Sequence, residues 1–221
     1  MAEDVTLLAG TVAEHETAPG VWAIAPKLTS IGETGEMSEP KEKTTLADRM
    51  KRYGSGLRDA PDKNLQGQYI PPQQSGDEYY DEYVLQQAFI QRCRNEEEFN
   101  MRIKWPDNTV AGFLFKSLGF KITDGTQEDW KLWEVAGKQN SRPVWTVTVS
   151  GTAAITTSSQ LSIETVPLLN AAEIGTVTWK SSDTAKATVS ASGLVTKVAA
   201  GTATITAEVR GVVGSLAVTL S

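Results

Sequence analysis

Strict alternation of apolar and small polar residues dominates the last third of the chain. Trp145–Val149, Thr176–Lys180, Ala187–Val189, Gly201–Val209 and Leu216–Leu220 each put apolar side chains on one face at a period of two. Turn residues separate these short segments at intervals of about ten, the spacing of a β-sandwich. Trp179, Val189, Leu194 and Ile205 are its expected core, and Gly193 and Gly201 fall where chain reversals need positive φ.

The middle of the chain changes period. Val84/Leu85, Ala88/Phe89 and Cys93 recur about every four residues and predict one apolar stripe on a helix. Ser75 with Glu78 reads as its capping box. Asp77, Glu78, Asp81 and Glu82 load its start with negative charge and Arg92 and Arg94 its end with positive charge, which complements the helix dipole. Phe99, Met101, Ile103 and Trp105 then alternate, and Trp105-Pro106-Asp107-Asn108-Thr109 is a tight reversal, so a β-hairpin follows. Its return strand has Phe113 and Phe115 on one parity but Leu118, Phe120 and Ile122 on the other, which predicts a β-bulge near Ser117. Asp124-Gly125 reads as a second turn and Trp130–Ala136 as a further strand.

The first third is less regular. Candidate strands are Val5–Val12, Gly20–Ala25 and Lys27–Met37, with Thr11–Pro19 as a loop. Asp48–Ser75 is polar, rich in Gly and Pro, and shows no apolar period, so it reads as a long loop. Yet it carries Asp48, Arg49, Arg52, Tyr53, Leu57, Arg58, Leu65, Tyr69 and Ile70, anchors expected to form an interface with a neighbouring subunit.

Charge divides the 221 residues in two. The net charge is −6, and from Gly151 onward Lys180, Lys186, Lys197 and Arg210 balance Glu164, Glu173, Asp183 and Glu208. After Trp145 the only aromatic is Trp179. A boundary at Arg142-Pro143 follows, with domains at 1–143 and 144–221. The expected fold class is mainly β: an N-terminal antiparallel sandwich or barrel with one packed helix and a long loop, then a second β-sandwich.

The chemistry is restrictive. Cys93 is the only cysteine and His15 the only histidine, which removes disulfides and leaves Cys/His zinc sites and His-based nucleophilic centres short of partners. Neither a phosphate-cradling glycine loop nor a calcium-loop pattern is present, so no cofactor, metal or enzymatic activity is expected. Negative charge argues against wrapping nucleic acid but suits a conduit past which DNA slides. No apolar run is long enough to cross a membrane. The acidic start Met1-Ala2-Glu3-Asp4 predicts a chain used without export.

Val177-Thr178-Trp179-Lys180-Ser181-Ser182-Asp183, Ala187-Thr188-Val189, Gly193-Leu194-Val195 and Ala199-Ala200-Gly201-Thr202-Ala203-Thr204-Ile205-Thr206 resemble the bacterial Ig-like group 2 domain. Ser158-Ser159-Gln160 departs from that family's Gly-containing turn. Met101-Arg102-Ile103-Lys104-Trp105-Pro106-Asp107-Asn108-Thr109-Val110, with Arg142-Pro143 at the joint, resembles the tail tube proteins of lambda-like siphophages, which also carry such a domain. That resemblance implies a tail tube domain, hexameric rings stacked into a hollow tube, and a place in the virion after assembly in the host cytoplasm. It implies as partners further copies of the chain, a tape measure protein, tail-tip and terminator proteins, and DNA passing without sequence-specific binding. Deleting residues 50–70 is then expected to leave a folded monomer unable to form tubes. Two other readings remain: a surface-binding module whose Ig-like domain takes carbohydrate or cell wall, and a different virion protein such as a capsid decoration or tail terminator.

Overall fold

The computed structural model describes residues 10–35, 37–42, 53–59, 61–123 and 131–221. The first part runs β1 (Val12–Ala18), β2 (Val21–Ile24), β3 (Leu28–Ser30), β4 (Met37–Glu42), β5 (Tyr53–Asp59), β6 (Leu65–Gln68), α1 (Tyr80–Arg94), β7 (Glu98–Lys104), β8 (Val110–Thr123) and β9 (Leu132–Gln139). Seven of these strands form one antiparallel sheet in the order β2-β1-β7-β8-β9-β6-β3, while β4 and β5 pair with each other in a separate two-stranded arm.

The expected hairpin is the centre of that sheet. Phe99, Met101 and Ile103 of β7 and Phe113 and Phe115 of β8 are buried on one face, in register from Glu98↔Lys116 to Lys104↔Val110. Asn108 closes the turn at φ 66°, donating its N–H to the Trp105 carbonyl, as a three-residue hairpin loop requires. The anticipated bulge is present: the pairing of β8 with β9 slips between Ser117 and Gly119. It turns Ser117 inward, where its hydroxyl donates to the Cys93 carbonyl at 2.8 Å and ties the sheet to the end of α1.

Helix α1 differs from its expected face. Gln86, Phe89, Ile90 and Cys93 are buried, whereas Val84, Leu85 and Ala88 are exposed. The stripe is rotated because a polar residue lies inside it. Gln86 donates to the Gln68 carbonyl at 2.7 Å and accepts from the Ile70 N–H at 2.8 Å, continuing the hydrogen bonding of β6 after that strand ends. The Ser75/Glu78 capping box is absent as well: the helix begins at Tyr80 with no side-chain cap on Tyr79, and Asp77 instead accepts from the Gln74 N–H in the preceding turn. Asp81 and Glu82 at the start and Arg92 and Arg94 at the end keep the expected dipole match.

Two other expectations are corrected. Thr11–Pro19 is not a loop, since β1 occupies most of it with Ala13 and His15 inward. The stretch 48–75 is not structureless, because it supplies β5 and β6. The strand expected at Val5–Val12 lies largely outside the described residues, as do the Asp124-Gly125 turn and Trp130.

The second part comprises β10 (Thr146–Ser150), β11 (Ala154–Ile155), β12 (Ser158–Gln160), β13 (Ser162–Val166), α2 (Ala171–Ile174), β14 (Thr178–Ser181), β15 (Ala187–Val189), β16 (Leu194–Lys197), β17 (Gly201–Val209) and β18 (Val212–Leu220). They form sheets β11-β18-β17-β14, β12-β16-β15 and β10-β13 around a core of their own that includes Val147, Leu161, Val195, Ile205 and Val218. Ile205 is wholly buried, as expected, and Trp179 and Val189 pack against the core half-buried. Leu194 is a correction: it is 40% exposed, and its neighbour Val195 points inward instead. Gly193 and Gly201 take φ values of 82° and 140°, the reversals anticipated for them.

Candidate assembly surface and domain joint

The seven-stranded sheet leaves two strands at its edges, β2 and β3. Edge strands carry backbone groups that a neighbouring strand can pair. On β2 two apolar side chains, Val21 and Ile24, are 55% and 49% exposed.

The arm formed by β4 and β5 leaves the body between Gly35 and Pro61. Its root is closed by Lys63, a fully buried side chain. The Lys63 ammonium donates to the carbonyls of Gly32 (3.3 Å) and Glu33 (2.7 Å) and to the Thr34 hydroxyl, and it stands 5.1 Å from the centre of the Phe113 ring. Burial pushes its amine down to about 7, against the upward pull of the Glu33 carboxylate. Gln139 holds the other side of the root, donating to the Gly35 and Ser141 carbonyls at 2.8 and 2.9 Å. Neither residue stood out in the sequence, because a lone Lys or Gln in a polar stretch carries no pattern.

The expected interface residues separate into three groups. Asp48, Arg49 and Arg52 lie outside the described residues. Tyr53, Leu57 and Arg58 lie on β5, with Tyr53 opposite Glu42 and Arg58 opposite Ser38. Leu65 and Ile70 are corrections, being wholly buried and 7% exposed, while Tyr69 packs partly buried against the core that holds Leu65. Burial withholds Leu65 and Ile70 from a neighbour, whereas Tyr69 is only partly buried.

A second constellation joins the two parts. Arg210 and Gly211 form the two-residue turn between β17 and β18, both at positive φ (48° and 81°), as a type I′ hairpin demands. The tip sits against the first sheet. Arg102 of β7 donates from Nη1 to the Gly211 carbonyl at 2.9 Å and from Nε to the Glu14 carboxylate, and its guanidinium lies 4.4 Å from the centre of the Trp22 ring. The Trp22 indole N–H donates to Glu208 at 2.5 Å, and Glu208 is 3.9 Å from Arg102. Lys104 adds a second cation to Glu14 at 2.8 Å. Burial opposes ionisation of Glu14, but hydrogen bonds from Lys104 and Arg102 outweigh it and hold the carboxyl below its usual range.

Glycine is required twice here. A Cβ on Gly112 would lie 2.0 Å from the Arg210 carbonyl oxygen, and one on Gly211 would lie 2.4 Å from Arg102 Cδ. Gly112 also exchanges backbone hydrogen bonds with Val144 at 2.9 and 2.7 Å, so the connecting segment is itself paired to β8. Arg210 donates to the carbonyls of Arg142 and Glu173. Trp105 and Trp145 stack across the joint at 5.9 Å with 21° between their planes.

Cys93 and His15 both lie in the core of the first part. Burial pushes the Cys93 thiol up to about 12. His15 is buried between Phe89 and Phe99, and burial with the nearby Arg92 pushes it down to about 4. Arg92 lies 3.1 Å from its Nδ1, which places the ring proton on Nε2. Among the described residues no group of three or more His, Cys, Asp or Glu side chains gathers as metal ligands, and no helix is long and apolar enough to cross a membrane.

The family model of the bacterial Ig-like domain (group 2) matches residues 143–220. No curated protein matches the chain in sequence. Among solved structures, the tail of an empty gene transfer agent particle refined with C6 symmetry aligns over 61% of this chain and 95% of its own, at 13% identity and a TM-score of 0.46. A chain from the virion of the native gene transfer agent particle aligns over 66% and 98%, at 13% identity and 0.42. A chain from the phage P2 baseplate in its activated conformation aligns over 69% of this chain and 49% of its own, at 10% identity and 0.44.

Proposed function

We propose that this chain is a structural subunit of a phage tail tube, built from a tube domain at 1–143 and an Ig-like domain at 144–221. The observation that carries the reading is the edge of the seven-stranded sheet, where β2 has no strand partner on its outer side among the described residues and exposes Val21 and Ile24. Such an edge is an aggregation hazard in a monomer and an assembly device in a polymer. Pairing it with the same sheet of another copy extends the sheet around a ring, six copies close it, and stacked rings enclose a lumen. A net charge of −6 suits a lumen along which DNA and a tape measure protein slide without adhering. The arm from β4 and β5 reaches beyond the body toward the next subunit or ring, with tail-tip and terminator proteins at the two ends of the tube. The role is read as structural, and Cys93 and His15, its thiol pushed up to about 12 and its ring down to about 4, are both buried as parts of the core.

Negative-stain electron microscopy of the concentrated protein, beside size-exclusion chromatography, tests this. Tubes or stacked six-fold rings with outer knobs are expected. A protein that stays monomeric even with purified tail-tip complexes would overturn it. Placing charge on the edge, as in V21K/I24K, should abolish tubes while leaving the monomer's melting temperature unchanged, because both side chains are exposed.

A further inference from the structure

Two contacts of the joint fall on the β1–β2 hairpin rather than on the middle of the sheet. Trp22 belongs to the edge strand itself, and its indole N–H ends on Glu208 of β17. The Arg102 guanidinium that covers the Trp22 ring is held in place by Glu14 of β1 and the carbonyl of Gly211. The turn linking β1 to β2 is also covered: a Cβ on Gly20 would lie 3.1 Å from Lys180 Nζ and 3.5 Å from Thr178 Cγ2, both on β14. Glu16 braces that turn from within, accepting from the Gly20 N–H and from Asn100, both at 2.7 Å. Strand β2 has only four residues and, among the described residues, pairs only with β1, with a break in register between Glu16 and Ala18. So short a strand at a sheet edge, interrupted in that ladder, is poorly held by its backbone alone.

We propose that the Ig-like domain positions the assembly edge: the β17–β18 tip, through Glu208 and Arg102, latches Trp22 and thereby holds β2 in the geometry another copy must meet. This rests on the tail tube reading for its purpose but not for its physics. The latch is built of an indole–carboxylate hydrogen bond and a guanidinium shared between the two parts, both largely screened from water at 13% side-chain exposure for Arg102, Glu14 and Glu208. Hydrogen bonds to charged groups in such surroundings are the strong ones. The Ig-like domain is then a part of the assembly apparatus and not an ornament on it.

Hydrogen exchange on the full-length monomer tests the latch without requiring tubes. In Glu208→Ala and, separately, in Trp22→Phe, which keeps the ring but loses its N–H, the amides of residues 21–24 should exchange roughly tenfold faster or more. Amides of β7 and β8 should be unchanged, and the double variant should go no further than either single one. Unchanged exchange at 21–24 in both variants would overturn the proposal, and so would faster exchange spread evenly over the whole sheet, which is general destabilisation. Tube growth measured on the same proteins should slow in both variants. If the wild type forms no tubes, the tube reading fails while the exchange result still decides the latch.

Discussion

Leu194 and Val195 show how fine the residue-scale reading has to be. One is 40% exposed and the other wholly buried, and alternation alone does not say which parity faces the core when both are apolar. His15 is a sharper case. In sequence it sits among Glu14, Glu16 and Thr17 and looks solvated, but its strand alternates Ala13 and His15 inward. A histidine held near 4 is neutral in the fold, while the unfolded chain binds a proton below its ordinary 6.5. Its contribution is therefore complete above about 6.5 and is lost as pH falls toward 4, by roughly 3 kcal/mol in all. Thermal melts of the wild type and H15Q between pH 7 and 4 should show this as the difference between the two curves; parallel curves would contradict it. Gly112→Ala addresses crowding instead. The added methyl has nowhere to go against the Arg210 carbonyl, and an overpacked contact costs about 1–3 kcal/mol. A melting temperature equal to that of the wild type would show that the joint gives way freely.

Elements were legible where their period was undisturbed. The β7–β8 hairpin, its Pro106-Asp107-Asn108 turn and the bulge at Ser117 follow from parity alone. The phase of α1 did not, because Gln86 faces inward to serve the backbone around β6 and displaces the apolar stripe. The arm strands were hidden for another reason. Met37–Glu42 contains Pro40, and Tyr53–Asp59 contains Gly54 and Gly56, so each lacks the β-branched alternation that marks a strand. The element map also changes which deletion is informative. Removing 50–70 would take out β6, an interior strand of the sheet with Leu65 in the core, and the product should not fold. Replacing 38–58 with a short glycine-containing turn removes the arm alone; a folded monomer that forms no tubes is expected, and normal tubes would show the arm dispensable. Lys63→Met should loosen the root, seen as faster amide exchange at residues 32–35 with the β10–β18 core unaffected.

For the whole molecule, the division into two chemistries was visible in charge and aromatic content, but the way the parts meet was not. Trp22 and Glu208 are 186 positions apart and Arg102 and Glu14 are 88 apart, and no local pattern announces such pairs. The joint bears on a chain truncated after Arg142. The N-terminal part keeps its own core and should still polymerise, but with Trp22 and Arg102 uncovered its tubes should grow more slowly and dissociate at lower urea than those of the full chain. A truncated protein that assembles as well as the intact one would remove the Ig-like domain from the assembly process.

The stacked pair of Trp105 and Trp145 has a practical use. One ring stands at the tip of the central hairpin and the other at the start of the Ig-like domain, close enough for their excited states to couple. Their near-ultraviolet circular dichroism therefore carries a signature that depends on the angle between the two parts. The chain contains its own optical gauge of domain orientation, readable during assembly without any added label.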